Sequence, residues 1–306
     1  MSGMIALIKT LARHEGYNLT ALPGVRILRA DRPLARTPVL YDPGIVIVCQ
    51  GSKRGYFGQQ TYLYDEQHYL AVSVPVPFTM ETDASAEHPL LAIYLHLDFQ
   101  LAAELILQID QHDASHPPAA PQSMMSSQMD DTVKGAVLGL LEALNSPLET
   151  AILGHARLRE LYFRVLTGEQ GNAMRAALAM QGQFSKIGKV VKHIHATYAE
   201  PLTLTQLAGE AGMSIPTFHL HFKAIIRMPP MQYVKSVRLH QARMLMVRQQ
   251  MTAAAAGYAV GYESASQFNR EFKRLFGLPP AEEIKRMQRH FSVPPVQQMP
   301  VFVSSH

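Results

Sequence analysis

The sequence predicts an α+β protein of two domains, a β-sandwich or β-barrel with flanking helices followed by an all-α domain. Three observations support this prediction. Short segments rich in Val, Ile, Tyr and Leu, separated by Pro and Gly, occupy residues 25–97. Helical periodicity replaces them from Asp98 onward. The last third of the chain then contains the same glycine-turn pattern twice, which indicates an internal duplication.

Composition limits the class of protein. A chain of 306 residues, 47% of them hydrophobic, has the length of about two domains. No apolar run approaches the ~20 residues of a membrane span, and the first 20 residues lack a basic segment and a cleavage site, so we expect no signal peptide. Cys49 is the single cysteine. It excludes intrachain disulfides and cysteine-based zinc sites, and it fits a cytoplasmic location.

Charge is distributed unevenly along the chain. Residues 1–183 contain 13 Lys and Arg against 18 Asp and Glu, a net charge of −5. Residues 184–306 contain 15 against 6, a net charge of +9. A basic half joined to an acidic half indicates an anionic partner for the C-terminal half, with nucleic acid and a plain solvated surface as the two alternatives.

The strand-forming segments are followed by helices and a link. "GIVIVCQG" (44–51), "TYLYDEQHYLAVSV" (61–74) and "LLAIYLHLD" (90–98) predict strands. Asp98 is a candidate N-cap for the next helix, and helical patterns return at 130–144 and 150–167. We assign 1–170 to the first domain, 171–183 to a linker, 184–290 to the second domain and 291–306 to a mobile tail.

The second domain has seven helical segments. They are predicted at 185–198, 203–211, 215–226, 230–249, 252–259, 265–276 and 280–290.

Two of these helix pairs repeat one pattern. "LAGEAGMSIPTFHLHFK" (207–223) and "AGYAVGYESASQFNREFK" (256–273) each contain a small residue, a glycine turn, a serine and Phe-x-x-x-Phe-Lys. Glycine accepts the left-handed backbone of a turn, and Ser214 and Ser264 are placed to cap the following helices. The repeat therefore predicts two helix-turn-helix units.

The second helix of each unit has two different faces. At 100° per residue, Phe268 and Phe272 share the inward face. The opposite face can enter a DNA major groove, where Arg bonds guanine and Gln or Asn reads adenine. The helix between the units spans about 30 Å, close to the ~34 Å of one DNA turn. In the first unit the outward residues are Pro216, Thr217, His219, Leu220 and Lys223, and in the second they are Ser266, Gln267, Asn269, Arg270 and Lys273.

These residues resemble the AraC family of bacterial transcription regulators over about 100 residues. The resemblance implies a double helix-turn-helix domain that binds promoter DNA, usually activates transcription and has RNA polymerase as a partner. It assigns DNA contacts to the outward residues Pro216, Thr217, His219 and Leu220 of the first unit, and to Ala265, Ser266, Gln267, Asn269 and Arg270 of the second. Arg227 and Gly257 depart from the family pattern, in which a small residue and Ala are usual.

The N-terminal half is more loosely similar to the N-terminal domain of an AraC subgroup, through "VIVCQGSKRGYFGQQTYLYDEQHYLAVSVPVPF" and "ASAEHPLLAIYLHLD". That resemblance implies a cupin-like β-barrel used for effector sensing and dimerisation, without identifying the effector.

Candidate sites in the first half are few. His68, His88 and His96 lack the His-x-His spacing of metal cupins, so we expect no metal or other cofactor, and no catalytic motif is present. Tyrosines of the strand region are candidates for an apolar effector pocket or for the core. The effector candidates are Tyr56, Tyr62, Tyr64 and Tyr94.

Cys49 and the helical stripes each leave two alternatives. Lys53 and Arg54 can lower the pKa of Cys49 and make it an electrophile or oxidant sensor, and the alternative is an inert core cysteine. The apolar stripes at 98–109 and 130–167 either cover the barrel or form a homodimer seam.

We conclude that the sequence predicts a cytoplasmic, non-enzymatic transcription activator controlled by a small-molecule effector. The alternatives are a sensor acting through Cys49, a cupin-type enzyme with a helical domain, and a DNA-architectural protein without effector.

Overall fold

The computed structural model describes residues 2–112, 119–179 and 182–290. The predicted mobile tail, 291–306, lies outside these residues. The N-terminal part contains the strands β1 (Gly16–Leu19), β2 (Val25–Ala30), β3 (Leu34–Tyr41), β4 (Gly44–Gln50), β5 (Ser52–Phe57), β6 (Gln60–Asp65), β7 (His68–Val72), β8 (Val76–Asp83), β9 (Leu90–His96) and β10 (Met124–Gln128). Its helices are α1 (Ser2–Leu11), α2 (Phe99–His112), α3 (Asp131–Leu144), α4 (Pro147–Thr167) and α5 (Gly171–Leu178).

The strands form one curled antiparallel sheet. Their order is β1-β2-β9-β4-β7-β6-β5-β8-β3, and β10 pairs with β7. Strands β1 and β3 end this order, so the described residues form a half-barrel in place of the closed barrel that the term cupin-like suggests. The α+β fold class is confirmed.

The sheet is covered on both faces, which explains its apolar sequence. Strand β4 reads GIVIVCQ and is buried throughout. Val46 and Val48 point to the inner face, where they join Tyr41 and Tyr64 in one cluster. Ile45 and Ile47 point to the outer face, which packs against α1 to α4. A strand buried on both sides loses the alternation of polar and apolar residues.

The C-terminal part consists of seven helices within the described residues. They are α6 (Gly182–Thr197), α7 (Leu204–Glu210), α8 (Ile215–Ile226), α9 (Pro230–Gln249), α10 (Ala253–Ala259), α11 (Ala265–Phe276) and α12 (Pro280–His290). Each agrees with its predicted range to within three residues.

The segment assigned as the linker is partly helical. Helix α5 lies inside 171–183 and buries Ala173, Met174 and Ala177. Gly171 approaches the end of α4 so closely that a Cβ atom there would lie 2.3 Å from the Leu166 carbonyl oxygen. This part of the link is therefore packed onto the first domain.

Three hydrophobic clusters organise the molecule. One runs from the inner face of the sheet into the first helix-turn-helix unit, including Phe218 and Phe222. A second lies between the outer face and the N-terminal helices. The third is the core of the second unit around Phe268 and Phe272. Among the described residues, no helix combines the length and hydrophobicity that crossing a bilayer requires.

Candidate nucleic-acid interface

The turns of the two helix-turn-helix units have the predicted geometry. Gly212 and Gly261 adopt left-handed conformations, with φ of +62° and +87°. Ser214 and Ser264 cap α8 and α11, and each side chain accepts a hydrogen bond from the backbone N–H three residues later. The predictions for these four residues are confirmed.

The inward faces of α8 and α11 are anchored by aromatic pairs. Phe218 and Phe222 are fully buried, with ring centroids 5.4 Å apart. Phe268 and Phe272 are equally buried, 5.5 Å apart. Gly257, the departure from the family pattern, lies against Phe268, and a Cβ atom there would be 2.9 Å from the ring carbon Cγ. The close approach of α10 and α11 therefore accounts for this glycine.

The outward face of α8, which we call the first recognition face, is exposed throughout. Leu220 is 68% exposed, so this face presents an apolar side chain. The Thr217 hydroxyl is 2.9 Å from that of Ser214 and therefore stays close to the start of the helix. This face offers methyl groups, one hydroxyl, one imidazole and one cation. Its residues are Pro216, Thr217, His219, Leu220 and Lys223, all exposed.

The outward face of α11, the second recognition face, is richer in hydrogen-bond donors. Arg270 and Lys273 are exposed, and so are the amides of Gln267 and Asn269. Ala265 is only half-buried at the first position of the helix. The complete face is Ala265, Ser266, Gln267, Asn269, Arg270 and Lys273.

Glu271 supports the second recognition face and was missed by sequence reasoning. Its carboxylate accepts hydrogen bonds from Lys235 Nζ at 2.8 Å and from the Tyr262 hydroxyl at 2.8 Å. Gln267 Nε2 approaches the same group at 3.4 Å. Burial raises the pKa of Glu271, but these three donors outweigh burial and the pKa is lowered overall. The i, i+4 spacing of Gln267 and Glu271 was the one signal in the sequence.

The effector candidates separate into two locations. Tyr64 and Tyr94 are buried on the inner face of the sheet, and Tyr62 packs against the same cluster. Tyr56 lies on the opposite face of β5, where its hydroxyl donates to Glu81 and its ring lies 4.1 Å from the Arg36 guanidinium carbon. Tyr56 does not lie with the other three effector candidates, because strand alternation turns Gly55 and Phe57 inward and Tyr56 outward.

A buried lysine lies among the inward tyrosines. Lys53 is 2% exposed, and its Nζ is 6.0 Å from the Tyr41 ring centroid. The Tyr41 and Tyr64 hydroxyls are 3.3 Å apart. Burial lowers the pKa of Lys53 to about 7. The sequence did not single out Lys53 for this role, since one lysine in a strand carries no signal of its direction.

Cys49 does not have the properties of a sensor. It is 1% exposed and belongs to the outer cluster, whereas Lys53 points to the inner face. Burial raises the pKa of Cys49 to about 12. The hypothesis that Lys53 and Arg54 lower this pKa is wrong, because desolvation acts in the opposite direction.

Within the described residues, no three His, Cys, Asp or Glu side chains converge as metal ligands. His68 instead contacts Asp65 through Nδ1 at 2.9 Å, and His88 is exposed.

The sheet is attached to the C-terminal domain through β3. Arg243 of α9 and Glu283 of α12 are both fully buried and form an ion pair of 3.1 Å. Arg243 also donates to the Pro38 carbonyl oxygen at 3.0 Å, and Arg286 donates to the Thr37 hydroxyl at 3.2 Å. Burial lowers the pKa of Arg243 to about 10 despite the favourable charge of Glu283.

A second attachment lies near the first unit. His195 Nε2 and the Tyr233 hydroxyl are 2.7 Å apart, and that hydroxyl donates to the Pro75 carbonyl oxygen at 2.9 Å. Because the hydroxyl has a single proton, His195 donates through Nε2. Burial lowers the pKa of His195 to about 3, so the ring is neutral.

Comparisons with known proteins agree with both halves of this structure. The family described as AraC-type transcriptional regulator N-terminus matches residues 21–173, which is half of the chain, and a helix-turn-helix domain family matches residues 207–286. The virulence regulon transcriptional activator VirF of Yersinia enterocolitica is 23% identical over 243 residues, 78% of this chain and 88% of VirF. The thermoregulatory protein LcrF of Yersinia pestis is 22% identical with the same coverage.

Among solved structures, ToxT from Vibrio cholerae, crystallised with a bound unsaturated fatty acid, is similar in fold. The likeness has a TM-score of 0.59 at 12% identity and covers 89% of this chain and 97% of ToxT. An apo variant of ToxT gives a TM-score of 0.58.

Proposed function

This chain belongs to the AraC-type transcriptional regulators, and on that premise we propose that α8 and α11 read two successive major grooves of promoter DNA. The observation that carries the proposal is that both recognition faces are exposed on one domain, while β3 and β8 of the sheet contact α9, and β3 also contacts α11. Helix α9, with 20 residues and about 30 Å, separates the two units by nearly one DNA turn.

The two faces have different tasks in this proposal. Arg270 bonds guanine O6 and N7, and Gln267, held by Glu271, reads adenine. On the first face, Leu220 and Thr217 contact thymine methyl groups. Lys223 and Lys273 contact phosphates, which position the protein without reading sequence.

The test compares two neighbouring cations of α11. The chain's preferred site is selected from random duplexes, and affinity for it and for random DNA is measured by fluorescence anisotropy at 50 to 200 mM salt. Arg270→Ala is expected to cost about 1–3 kcal/mol on the selected site and little on random DNA. Lys273→Ala is expected to weaken both equally and to reduce the salt slope by about one. Equal losses for Arg270→Ala on both DNAs, or a flat salt response of the wild type, contradict the proposal.

The regulator acts as an activator, as VirF is described to do, and it therefore contacts RNA polymerase in the cytoplasm. No catalytic role is proposed, since the relatives that match most of the chain are transcription regulators. A promoter-fusion reporter tests this proposal. Reporter expression that rises when the chain is deleted would identify a repressor and contradict the proposal.

The effector is proposed to be an amphiphile with an acidic group, bound at the inner face of the sheet. The inner cluster provides apolar surface, and Lys53 with Tyr41 and Tyr64 provides polar groups for a carboxylate. The fatty acid named for ToxT has this chemistry.

Oleate, with oleyl alcohol as its uncharged control, tests the effector proposal in a thermal-shift assay at pH 6.5. Oleate is expected to raise the melting temperature of the wild type and of Arg54→Met, whose side chain is exposed on the other face. It is expected to leave Lys53→Met unchanged. An equal shift in Lys53→Met and the wild type contradicts the role of Lys53.

A homodimer is proposed through α2 and α4. These helices cover the outer face of the sheet, yet Leu107, Leu148 and Ile152 are 62%, 73% and 71% exposed. In an antiparallel pairing of α4 with a second copy, Glu149 of one copy meets Arg159 of the other, and a helix face that pairs with itself suits a two-fold contact. Sedimentation of Ile152→Glu should show monomer where the wild type and Leu19→Glu show dimer. A monomeric wild type at micromolar concentration contradicts the proposal.

A further inference from the structure

The two helix-turn-helix units touch each other at the turn of the second unit. Gly261 lies in that turn with φ of +87°, and a Cβ atom added there would be 2.4 Å from the Ala199 carbonyl oxygen. Ala199 belongs to the short segment 198–203 that leads from α6 into α7. The second unit's turn is therefore in direct backbone contact with the segment that begins the first unit.

Arg238, near the middle of α9, spans this contact with three hydrogen bonds. Its Nε donates to the Tyr198 carbonyl oxygen at 2.7 Å and its Nη2 to the Glu200 carbonyl oxygen at 2.8 Å. Its Nη1 donates to the Gly261 carbonyl oxygen at 3.1 Å. One guanidinium thus joins α9, the segment before the first unit and the turn of the second.

The surroundings of this contact also belong to both units. Tyr198 is half-buried and packs against the core of the first unit and that of the second. Burial lowers the pKa of Arg238, so the side chain leaves water in order to make these bonds. Helix α7 begins four residues after Glu200, and α11 begins four residues after Gly261.

We infer that Arg238 is a positioning residue that fixes the relative orientation of the two recognition faces. Helix α9 is the covalent link between the units and packs against the core of each, and Lys235 of α9 also bonds Glu271 of α11. The Arg238 contact adds a connection from α9 to the segment before the first unit and to the turn of the second, and it helps to set the separation and the angular phase of α8 and α11 before DNA binds. The inference rests on DNA binding by both units.

The consequence for DNA binding is a dependence on half-site spacing. Two linked modules gain about 10²–10⁴-fold in affinity when their geometry matches that of the two sites. Rigid units lose this gain when the half-sites are moved, whereas loosely connected units have a smaller gain and tolerate more spacings. The dependence of affinity on half-site spacing, which we call the spacing profile, therefore reports the connection between the units. A general loss of stability lowers affinity at every spacing and leaves this profile unchanged.

The first experiment uses the full chain and its selected duplex, with one to five base pairs inserted between the half-sites. The wild type is expected to lose at least about tenfold in affinity at half a turn, on the scale of that linkage gain. Arg238→Gln, and more weakly Arg238→Lys, should bind the selected duplex less tightly than the wild type does. On the duplex lengthened by half a turn, their affinity should differ little from that of the wild type. A wild-type profile for Arg238→Gln, or an equal loss at every spacing, overturns the inference.

A pair of glycine variants tests the same contact while Arg238 itself is kept, although a Cβ at position 261 would also lie 3.2 Å from the Arg238 guanidinium carbon. Gly212 and Gly261 are the equivalent turn residues and both have positive φ, so replacement by Ala strains both backbones alike. No atom lies within 4 Å of a Cβ at position 212, whereas a Cβ at 261 meets Ala199. Gly261→Ala should flatten the spacing profile and Gly212→Ala should preserve it, with melting temperatures recorded for both. Identical profiles for the two variants overturn the inference, and a wild type that selects no DNA site contradicts the proposed function instead.

Discussion

Replacing Glu283 by Gln removes one charge from the most deeply buried ion pair described in the chain. Glu283 and Arg243 are both 0% exposed. The carboxylate accepts from Arg243 at 3.1 Å and from Arg286 Nε at 2.8 Å. Without the negative charge, Arg243 remains buried and keeps its hydrogen bond to the Pro38 carbonyl oxygen, but it loses the charge that offsets most of its desolvation.

The expected cost is about 3–5 kcal/mol of unfolding free energy, the usual result of removing one partner of a buried pair. Burial lowers the pKa of Arg243 even with the Glu283 carboxylate beside it, and that carboxylate acts in the opposite direction. The charged form of Arg243 therefore depends on Glu283. Removing both charges in Arg243→Met/Glu283→Leu should cost much less, because apolar side chains need no compensation.

Urea unfolding of the full chain measures this difference, followed by circular dichroism. Glu282→Gln is the matched control, since its neighbouring carboxylate is exposed and should change stability by less than about 0.5 kcal/mol. A loss below about 1 kcal/mol for Glu283→Gln, or a larger loss for the double variant, refutes the reasoning.

Three further predictions concern the backbone of the recognition units and the buried lysine. Arg227 ends α8 with φ of +61°, so Arg227→Gly should raise the unfolding free energy by about 1 kcal/mol, whereas Arg227→Ala should give no gain. Gly257→Ala should destabilise by about 1–3 kcal/mol, because overlap with Phe268 exceeds the gain of about 1 kcal/mol in helix propensity. Gly209→Ala, at an open position of α7, should not destabilise. Lys53 has a folded pKa of about 7 against 10.5 unfolded, so the folded state binds fewer protons between these values and stability rises with pH there. Relative to Lys53→Met, the wild type should gain about 2–3 kcal/mol between pH 7 and 9, and parallel pH profiles would contradict the assigned burial.

In the proposed function, the two attachments between the sheet and the C-terminal domain connect effector binding with DNA binding. One holds α9 and α12 to β3 through Arg243 and Arg286, and the other holds α9 to the Pro75 carbonyl through Tyr233. The inner cluster is continuous with the first unit's core. A ligand that binds differently to the attached and detached arrangements shifts their populations by that difference in affinity.

The sequence alone determined the helices of the DNA-binding domain, their caps and their inward faces. These features depend on residues within one or two helical turns, such as Ser264, Phe268 and Phe272, and local spacing is sufficient to predict them. It also determined the family, because the repeated pattern is long and specific.

Only the tertiary structure decided which chemical groups meet. Side chains alternate between the two faces of the sheet along each strand. Tyr56 and Tyr64 therefore lie on opposite faces, and so do Cys49 and Lys53. Contacts between residues far apart in the chain, such as Arg238 with Gly261 and Arg243 with Pro38, leave no periodic signal in the sequence. Their energies come from desolvation and hydrogen-bond geometry, and both exist only once the domains have packed.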